Sequence, residues 1–390
     1  MQTEIKKPNI VITLNSPLTE NIYSRIGIEN LKSFFEITLV DCLNYFDPEF
    51  NNNSIYEFYK PNDIEVITIK SLEELKNILQ NKHPLFLLDC IGRSIYTNKI
   101  QSECNRNNIT YIYDGLTYTL SKNKKINILL KILFKLPDCF SKTISLLICK
   151  IRHYKDDFIR PDIVITSSKM GTLWEKSAKK RIFTSSKSYF DFLDYKQGAQ
   201  SKKELVKNEY ILFLDDCLID SFDYQLKHPK LETTKNNYFN HLKKFFDKIE
   251  KKFNMPVIIA AHPNGLYVDN YDKQFGRRKV FFNETCLLTR DCEFTLTHYS
   301  LSCHYSILFK KAILFLDLDF LPNKVKRQQK AYSNYLGMDI INITNENSFI
   351  PKQKSVNRKR YLKFTEDYIC AKDEINNPYQ PLIKYFLNQE

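Results

Sequence analysis

The sequence is short of glycine. Only 8 of its 390 residues are Gly, which excludes collagen-like repeats and Gly-rich linkers. No stretch reaches about 18 uninterrupted apolar residues, so no transmembrane helix is expected. The opening Met1-Gln2-Thr3-Glu4-Ile5-Lys6-Lys7-Pro8 lacks the apolar core of a signal peptide. The 10 cysteines are scattered and none forms a Cys-x-x-Cys pair. Zinc sites and disulfide frameworks are therefore not expected, and a reducing cytoplasm is the simpler setting. Missing too are a Walker loop, Gly-x-Gly-x-x-Gly, Gly-x-Ser-x-Gly, His-Glu-x-x-His and any fixed-period repeat.

What is present is apolar mass and positive charge. A hydrophobic fraction of 43% and an aromatic fraction of 14% suffice for two buried cores. The net charge of +13 suits an anionic substrate, an anionic membrane surface or nucleic acid. No zinc finger, basic-zipper heptad or RNA-binding aromatic strand accompanies it, so nucleic acid ranks last. Peripheral association with the inner face of a membrane is the corresponding expectation. The bland alternative is a Lys-rich and Asn-rich composition without electrostatic purpose.

Strand-like runs alternate with helical spacers. Residues 9–14, 37–40, 64–69, 85–89 and 109–113 read as strands, with helical spacing over 17–35 and a helix over 71–79 capped by Ser71. Residues 161–167 return to strand character. A long apolar and basic stretch, 122–154, either packs inside the first domain or presents a basic amphipathic face to a bilayer. Residues 196–207 read as a linker. The alternation restarts with strands at 210–214, 257–261, 292–297 and 312–316 and a helix over 235–253. Such βαβ units imply parallel sheets. The expectation is an α/β chain with two Rossmann-like domains: 1–200, and 208–355 for the nucleotide. A helical segment at 356–390 would pack back on the first domain.

Four constellations fall where these strands end, which is where open α/β sheets bind ligands. The first is His262-Pro263, with Asn264-Gly265 behind it. A His there can donate to a phosphate, or simply be a polar residue at a turn. The second is Asp114-Gly115, where the carboxylate suits a general base on a sugar hydroxyl; an ordinary Asp-Gly turn is the alternative. The third is Asp215-Asp216. Adjacent carboxylates bind metal or raise one another's pKa, or cap the next segment. The fourth, Thr297 through His304, leaves a strand and enters a helix. Its hydroxyls and free backbone N–H groups would form an anion site, unless it is only a Ser N-cap. Asp317-Leu318-Asp319 looks like an edge turn, and His83-Pro84 and His228-Pro229 do not end β-branched strands.

Taken in order, the Asp-Gly, His-Pro and Ser/Thr-rich pieces resemble the bacterial sialyltransferase and polysialyltransferase superfamily. The likeness is carried mainly by Phe213-Leu214-Asp215-Asp216, Tyr238, His262-Pro263, Gly276-Arg277, Thr285 and Ser300-Leu301-Ser302. The resemblance implies a GT-B fold, with two domains facing each other across a cleft, and a donor that is a CMP-activated nonulosonic acid or Kdo. It implies Asp114 as general base and His262 on the CMP phosphate. Pro263, Gly265, Thr285, Ser300, Ser302, Asp215 and Asp216 would belong to the nucleotide site. Tyr113 stands where the group has an acidic residue, and Leu301 separates the serines. Arg277 or Arg278 is the candidate for the donor carboxylate. No metal or other cofactor is expected, because helix N–H groups, Ser hydroxyls and His262 would stabilise the departing phosphate. An inverting displacement onto a glycan or glycolipid of the cell surface follows, unless a carboxylate acts as nucleophile. The alternatives are a glycerol- or ribitol-phosphate transferase of teichoic-acid type with a CDP-linked donor, and a non-catalytic basic membrane-surface protein.

Overall fold

The computed structural model describes residues 7–15, 18–46, 59–92, 95–116, 160–171, 173–197, 204–220, 232–345, 348, 350, 355–369 and 378–387. The 122–154 stretch, His228-Pro229 and part of the 196–207 linker lie outside them.

Two parallel sheets form. The first comprises β1 (Asn9–Leu14), β2 (Glu36–Asp41), β3 (Glu65–Thr68), β4 (Phe86–Asp89), β5 (Thr110–Gly115), β6 (Ile163–Thr166) and β7 (Lys180–Phe183), in the order β3-β2-β1-β4-β5-β6-β7. The second comprises β8 (Ile211–Leu214), β9 (Val257–Ala261), β10 (Val280–Phe282), β11 (Phe294–Thr297), β12 (Ala312–Asp317) and β13 (Ile340–Asn342), in the order β10-β9-β8-β11-β12-β13. The strand order reverses beside β1 in one sheet and beside β8 in the other. At such switch points the outgoing loops diverge and leave a crevice.

The central strands are β-branched and apolar because helices cover both faces. All residues of β6, β8, β9 and β11 are buried. The Glu232–Phe253 helix lays Tyr238, Leu242, Phe246 and Ile249 into the core of the second sheet. Seven described cysteines are free thiols, six of them buried.

The structure differs from expectation in places. The helical stretch at 17–35 is two short helices, Glu20–Ile26 and Ile28–Leu31. Gly27 sits between them at φ +65° and closes the first turn with its N–H on Ser24 and Tyr23 carbonyls, a conformation that costs glycine least. The strand β12 lies inside the sheet, between β11 and β13, so Asp317-Leu318-Asp319 is not an edge turn. Asp317 pairs with Lys326 at 3.4 Å, and Asp319 accepts from the Asn342 amide at 2.6 Å. His83 ends the Leu72–Lys82 helix in a left-handed conformation.

Two contacts matter for the site. The Gln380–Leu387 helix returns to the first sheet, where Tyr379, Leu382 and Ile383 are buried with Ile10, Ile12 and Leu39. Residues 365–369 bridge the two halves. The Ser167 hydroxyl donates to the Tyr368 carbonyl at 2.9 Å, the Ser168 hydroxyl to that of Asp367 at 3.2 Å, and the Ser186 N–H to that of Ile369 at 2.7 Å.

Candidate active site

His262 follows the last residue of β9, and Pro263 opens a 3-10 turn over Pro263–Tyr267. Proline suits a first helical position because its missing N–H would be unsatisfied there anyway. The Asn264 N–H donates to His262 Nδ1 at 3.1 Å. Neutral His262 therefore carries its proton on Nε2, a donor unspent on the turn. Burial, helped by the Arg25 charge, lowers its pKa to about 4, so the ring is neutral at pH 7. A bound phosphate would push that pKa back up.

Asp215 fixes the histidine backbone. Its Oδ2 accepts from the His262 N–H at 3.0 Å and the Tyr271 hydroxyl at 2.8 Å, and its Oδ1 from the Cys217 N–H at 3.0 Å. Gly265 is small for a packing reason. A Cβ there would stand 2.5 Å from the Tyr271 ring.

Asp216 organises the other side of the crevice. It accepts from the Tyr299 N–H at 3.2 Å, and also from the Ser300 hydroxyl and the His298 N–H. Burial, and then the neighbouring Asp215, raises its pKa to about 8. The paired aspartates therefore act as caps for the loops that follow β8, β9 and β11.

The turn after β11 corrects the expectation of a helix start rich in free N–H groups. Ser300 N–H donates to Thr297 Oγ1 and Ser302 N–H to Ser300 Oγ. The N–H groups of Cys303, His304 and Tyr305 bond the carbonyls of Ser300, Leu301 and Ser302. With Tyr299 on Asp216, the turn consumes all of these donors, and the Leu301 N–H is the one between Tyr299 and Tyr305 without a partner among the described residues. Ser300 is spent in the same way, while the half-buried Ser302 keeps its hydroxyl free of any partner among the described residues. His298 is a core residue, bound to the Leu316 carbonyl and the Tyr238 hydroxyl.

Asp114 lies at the carboxyl end of β5. Its Oδ1 accepts from the Leu116 N–H at 2.9 Å, and its Oδ2 from the Tyr379 hydroxyl at 2.9 Å and Cys90 Sγ at 3.7 Å. Burial raises its pKa, against the pull of the Leu116 N–H, Tyr379 and Arg25. A raised pKa makes a stronger base. Gly115 is required by close approach: an added Cβ would stand 2.9 Å from the Ile165 carbonyl oxygen.

Arg25 joins the halves. It ends the Glu20–Ile26 helix, which leaves the carboxyl edge of the first sheet. Its charge lowers the pKa of both Asp114 and His262, and also of Lys187. Arg25 is itself exposed, and its charge is felt at candidate residues on the carboxyl edges of both sheets. Arg25, Lys187 and Tyr379 escaped sequence reasoning because no motif surrounds them.

Not every expected residue arrives there. Arg277 precedes β10, at the opposite end of the strands, with its side chain 85% exposed. Arg278 is buried and bound to Asp247 at 2.6 Å and Glu250 at 2.8 Å. Neither faces the crevice, so the donor carboxylate has no partner in this pair. Thr285 opens the Thr285–Asp291 helix after the edge strand β10, and its carbonyl accepts from Thr289.

No family model and no curated protein matches the chain. Solved structures do. The wall teichoic acid polymerase TagF, as its H444N variant, is similar at 13% identity over 98% of this chain and 89% of that one, with a TM-score of 0.54. MnaA of S. aureus, solved with UDP, is similar at 14% identity over 99% and 98% of the two chains, with a TM-score of 0.50. The fold is of the GT-B type. The likeness shows the fold alone, and a fold chooses neither chemistry nor substrate.

Proposed function

We propose that the chain is a glycosyltransferase acting on a cytidine-nucleotide donor, with a CMP-activated nonulosonic acid or Kdo as the sugar and a cell-surface glycan hydroxyl as acceptor. One observation carries the reading. A neutral histidine whose turn leaves its Nε2–H free ends β9, with a free serine hydroxyl after β11, and a buried carboxylate of raised pKa ends β5, the Arg25 charge acting on both the histidine and the carboxylate. The first group suits a departing phosphate and the second an incoming alcohol.

Departure of CMP leaves negative charge on the phosphate as the sugar becomes oxocarbenium-like. In this reading His262 Nε2–H, the Ser302 hydroxyl and Arg25 are the donors that meet that charge. Asp114 takes the acceptor proton through the lone pairs that Leu116, Tyr379 and Cys90 leave. Direct attack opposite the departing phosphate inverts the anomeric centre. The reaction so written uses no metal.

A CDP-polyol donor of the teichoic-acid type is the second reading, favoured by the fold shared with TagF. The two share the phosphate contacts and differ in what is transferred. Incubation with CMP-sialic acid, CMP-Kdo or CDP-glycerol and measurement of released CMP separates them. Release from a CMP-sugar, abolished in His262→Ala, is the expected result. Release from CDP-glycerol alone would overturn the sugar assignment, and unchanged turnover in His262→Ala would overturn the site.

A further inference from the structure

Positive charge is concentrated in one stretch. Residues 323–363 hold ten lysines and arginines against two acids, a net +8 of the chain's +13. Most of it lies on two helices. The Asn323–Leu336 helix has no acidic residue and buries Val325, Gln328, Gln329, Ala331, Tyr332 and Leu336. Its outer face presents Lys324, Arg327 and Lys330, all exposed at three-residue spacing. Arg360 donates to the Asn334 carbonyl at 3.3 Å, which joins the ridge to the Arg358–Phe364 helix. There Arg358, Lys359, Arg360 and Lys363 are exposed, while Tyr361 and Phe364 anchor the helix in the core. Of the cations on the two helices, half-buried Lys326 is held by Asp317 at 3.4 Å and exposed Lys363 by Asp367 at 3.1 Å, and the other six pair with no acid among the described residues.

The character of the surface narrows its partner. It is the outside of two helices and not a groove. Its rings Tyr332, Tyr361 and Phe364 are buried, and half-buried Tyr335 is packed edge-on against Phe364 and Tyr368 with its hydroxyl on Asp367, so no open stacking platform is offered to bases. The large side chain that does project among the cations is aliphatic, Leu362 at 57% exposure. Cations around one protruding leucine suit a headgroup layer, which rewards both charge neutralisation and shallow apolar insertion.

We propose that this ridge docks the protein on the surface of an anionic lipid bilayer. The proposal stands independently of the substrate reading, since none of these residues borders the crevice. The same helix also fixes the geometry: Lys324 lies in its first turn, just after β12 ends. The ridge therefore begins on the side of the sheet where the crevice opens, and docking would hold that opening close to the lipid.

The test is co-sedimentation of the full chain with phosphatidylcholine vesicles, with and without phosphatidylglycerol. Binding only to the anionic vesicles, lost as salt rises well above about 0.1 M, is expected. Lys324→Gln/Arg327→Gln/Lys330→Gln should lower the partition coefficient at least about tenfold, and Leu362→Asn should lower it without changing the salt dependence. Lys60→Gln/Lys70→Gln/Lys99→Gln removes equal charge from exposed sites near the first sheet and should change it less than about twofold. Urea unfolding of each variant confirms that it is folded. Equal binding to neutral vesicles, equal loss in the two triple variants, or binding to heparin with none to vesicles would each overturn the proposal.

Discussion

Gly265→Ala tests how His262 is held. The added methyl would stand 2.5 and 2.6 Å from two carbons of the Tyr271 ring and 3.1 Å from one of Phe282. Carbon atoms rest at about 3.5–4.0 Å, so the ring must retreat by about 1 Å. Tyr271 is only 3% exposed and has little room. Overpacking of this kind costs about 1–3 kcal/mol. If the ring also gives up its 2.8 Å bond to Asp215, a further cost of about 1.5–3 kcal/mol follows, because the acceptor is a carboxylate. The assay is urea unfolding followed by circular dichroism, with Gly265→Ala, Tyr271→Leu and the double variant forming a cycle. Gly265→Ala alone should cost about 2.5–6 kcal/mol when both terms apply. In the Tyr271→Leu background, which removes the clashing ring and the hydroxyl, it should cost less than about 1 kcal/mol. Nucleotide affinity should fall with stability, since Asp215 holds the His262 N–H. A Gly265→Ala change within about 0.5 kcal/mol of the parent, the range of ordinary surface substitutions, would refute the reasoning. So would a cost that persists without Tyr271.

Two further predictions concern the other half of the crevice. Tyr379→Phe removes a hydroxyl that holds the Asp114 pKa down, so that pKa should rise further above the ordinary carboxylate value. The base must be ionised to work, so the acid limb of the pH–rate profile should move to higher pH with CMP affinity unchanged; an unmoved limb refutes the role. Arg25→Gln removes a cation that lowers the His262 pKa, so NMR titration of that ring should show the pKa rising from about 4 toward its ordinary 6.5, and CMP should bind about tenfold more weakly. A constant pKa would place Arg25 away from the crevice.

The legible parts of the fold were the buried strands. Val257 through Ala261 and Ile211 through Leu214 are unbroken apolar runs, short and β-branched or aromatic, ended by His262-Pro263 and by Asp215-Asp216, which favours a buried strand over a helix. The strands that escaped notice, β7, β10 and β13, are three or four residues long. Lys180 and Arg181 in β7 also break the apolar pattern, which an edge strand tolerates because one side faces water. The Asn323–Leu336 helix was hidden by its polar outer face. In the site, Asp114 and His262 were visible as polar residues punctuating strand ends. What they touch was not. Tyr379 reaches Asp114 across 265 residues of sequence, and Arg25 acts from a helix with no motif. Most of the N–H groups expected to be free near Ser300 are taken because the loop folds on itself, a local choice that Thr297 and Asp216 make together.

The hydroxyl of Tyr379 on Asp114 also gives the crevice an order of assembly. Every strand of both sheets precedes Tyr379 in the chain, so a ribosome has made the whole framework before it makes the residue that steadies the proposed base. A growing chain can therefore possess its fold, its histidine and its arginine while its carboxylate is still loosely held. Only when the returning helix docks on the first sheet is the Asp114 contact made, so the proposed base is steadied by a segment made after both sheets.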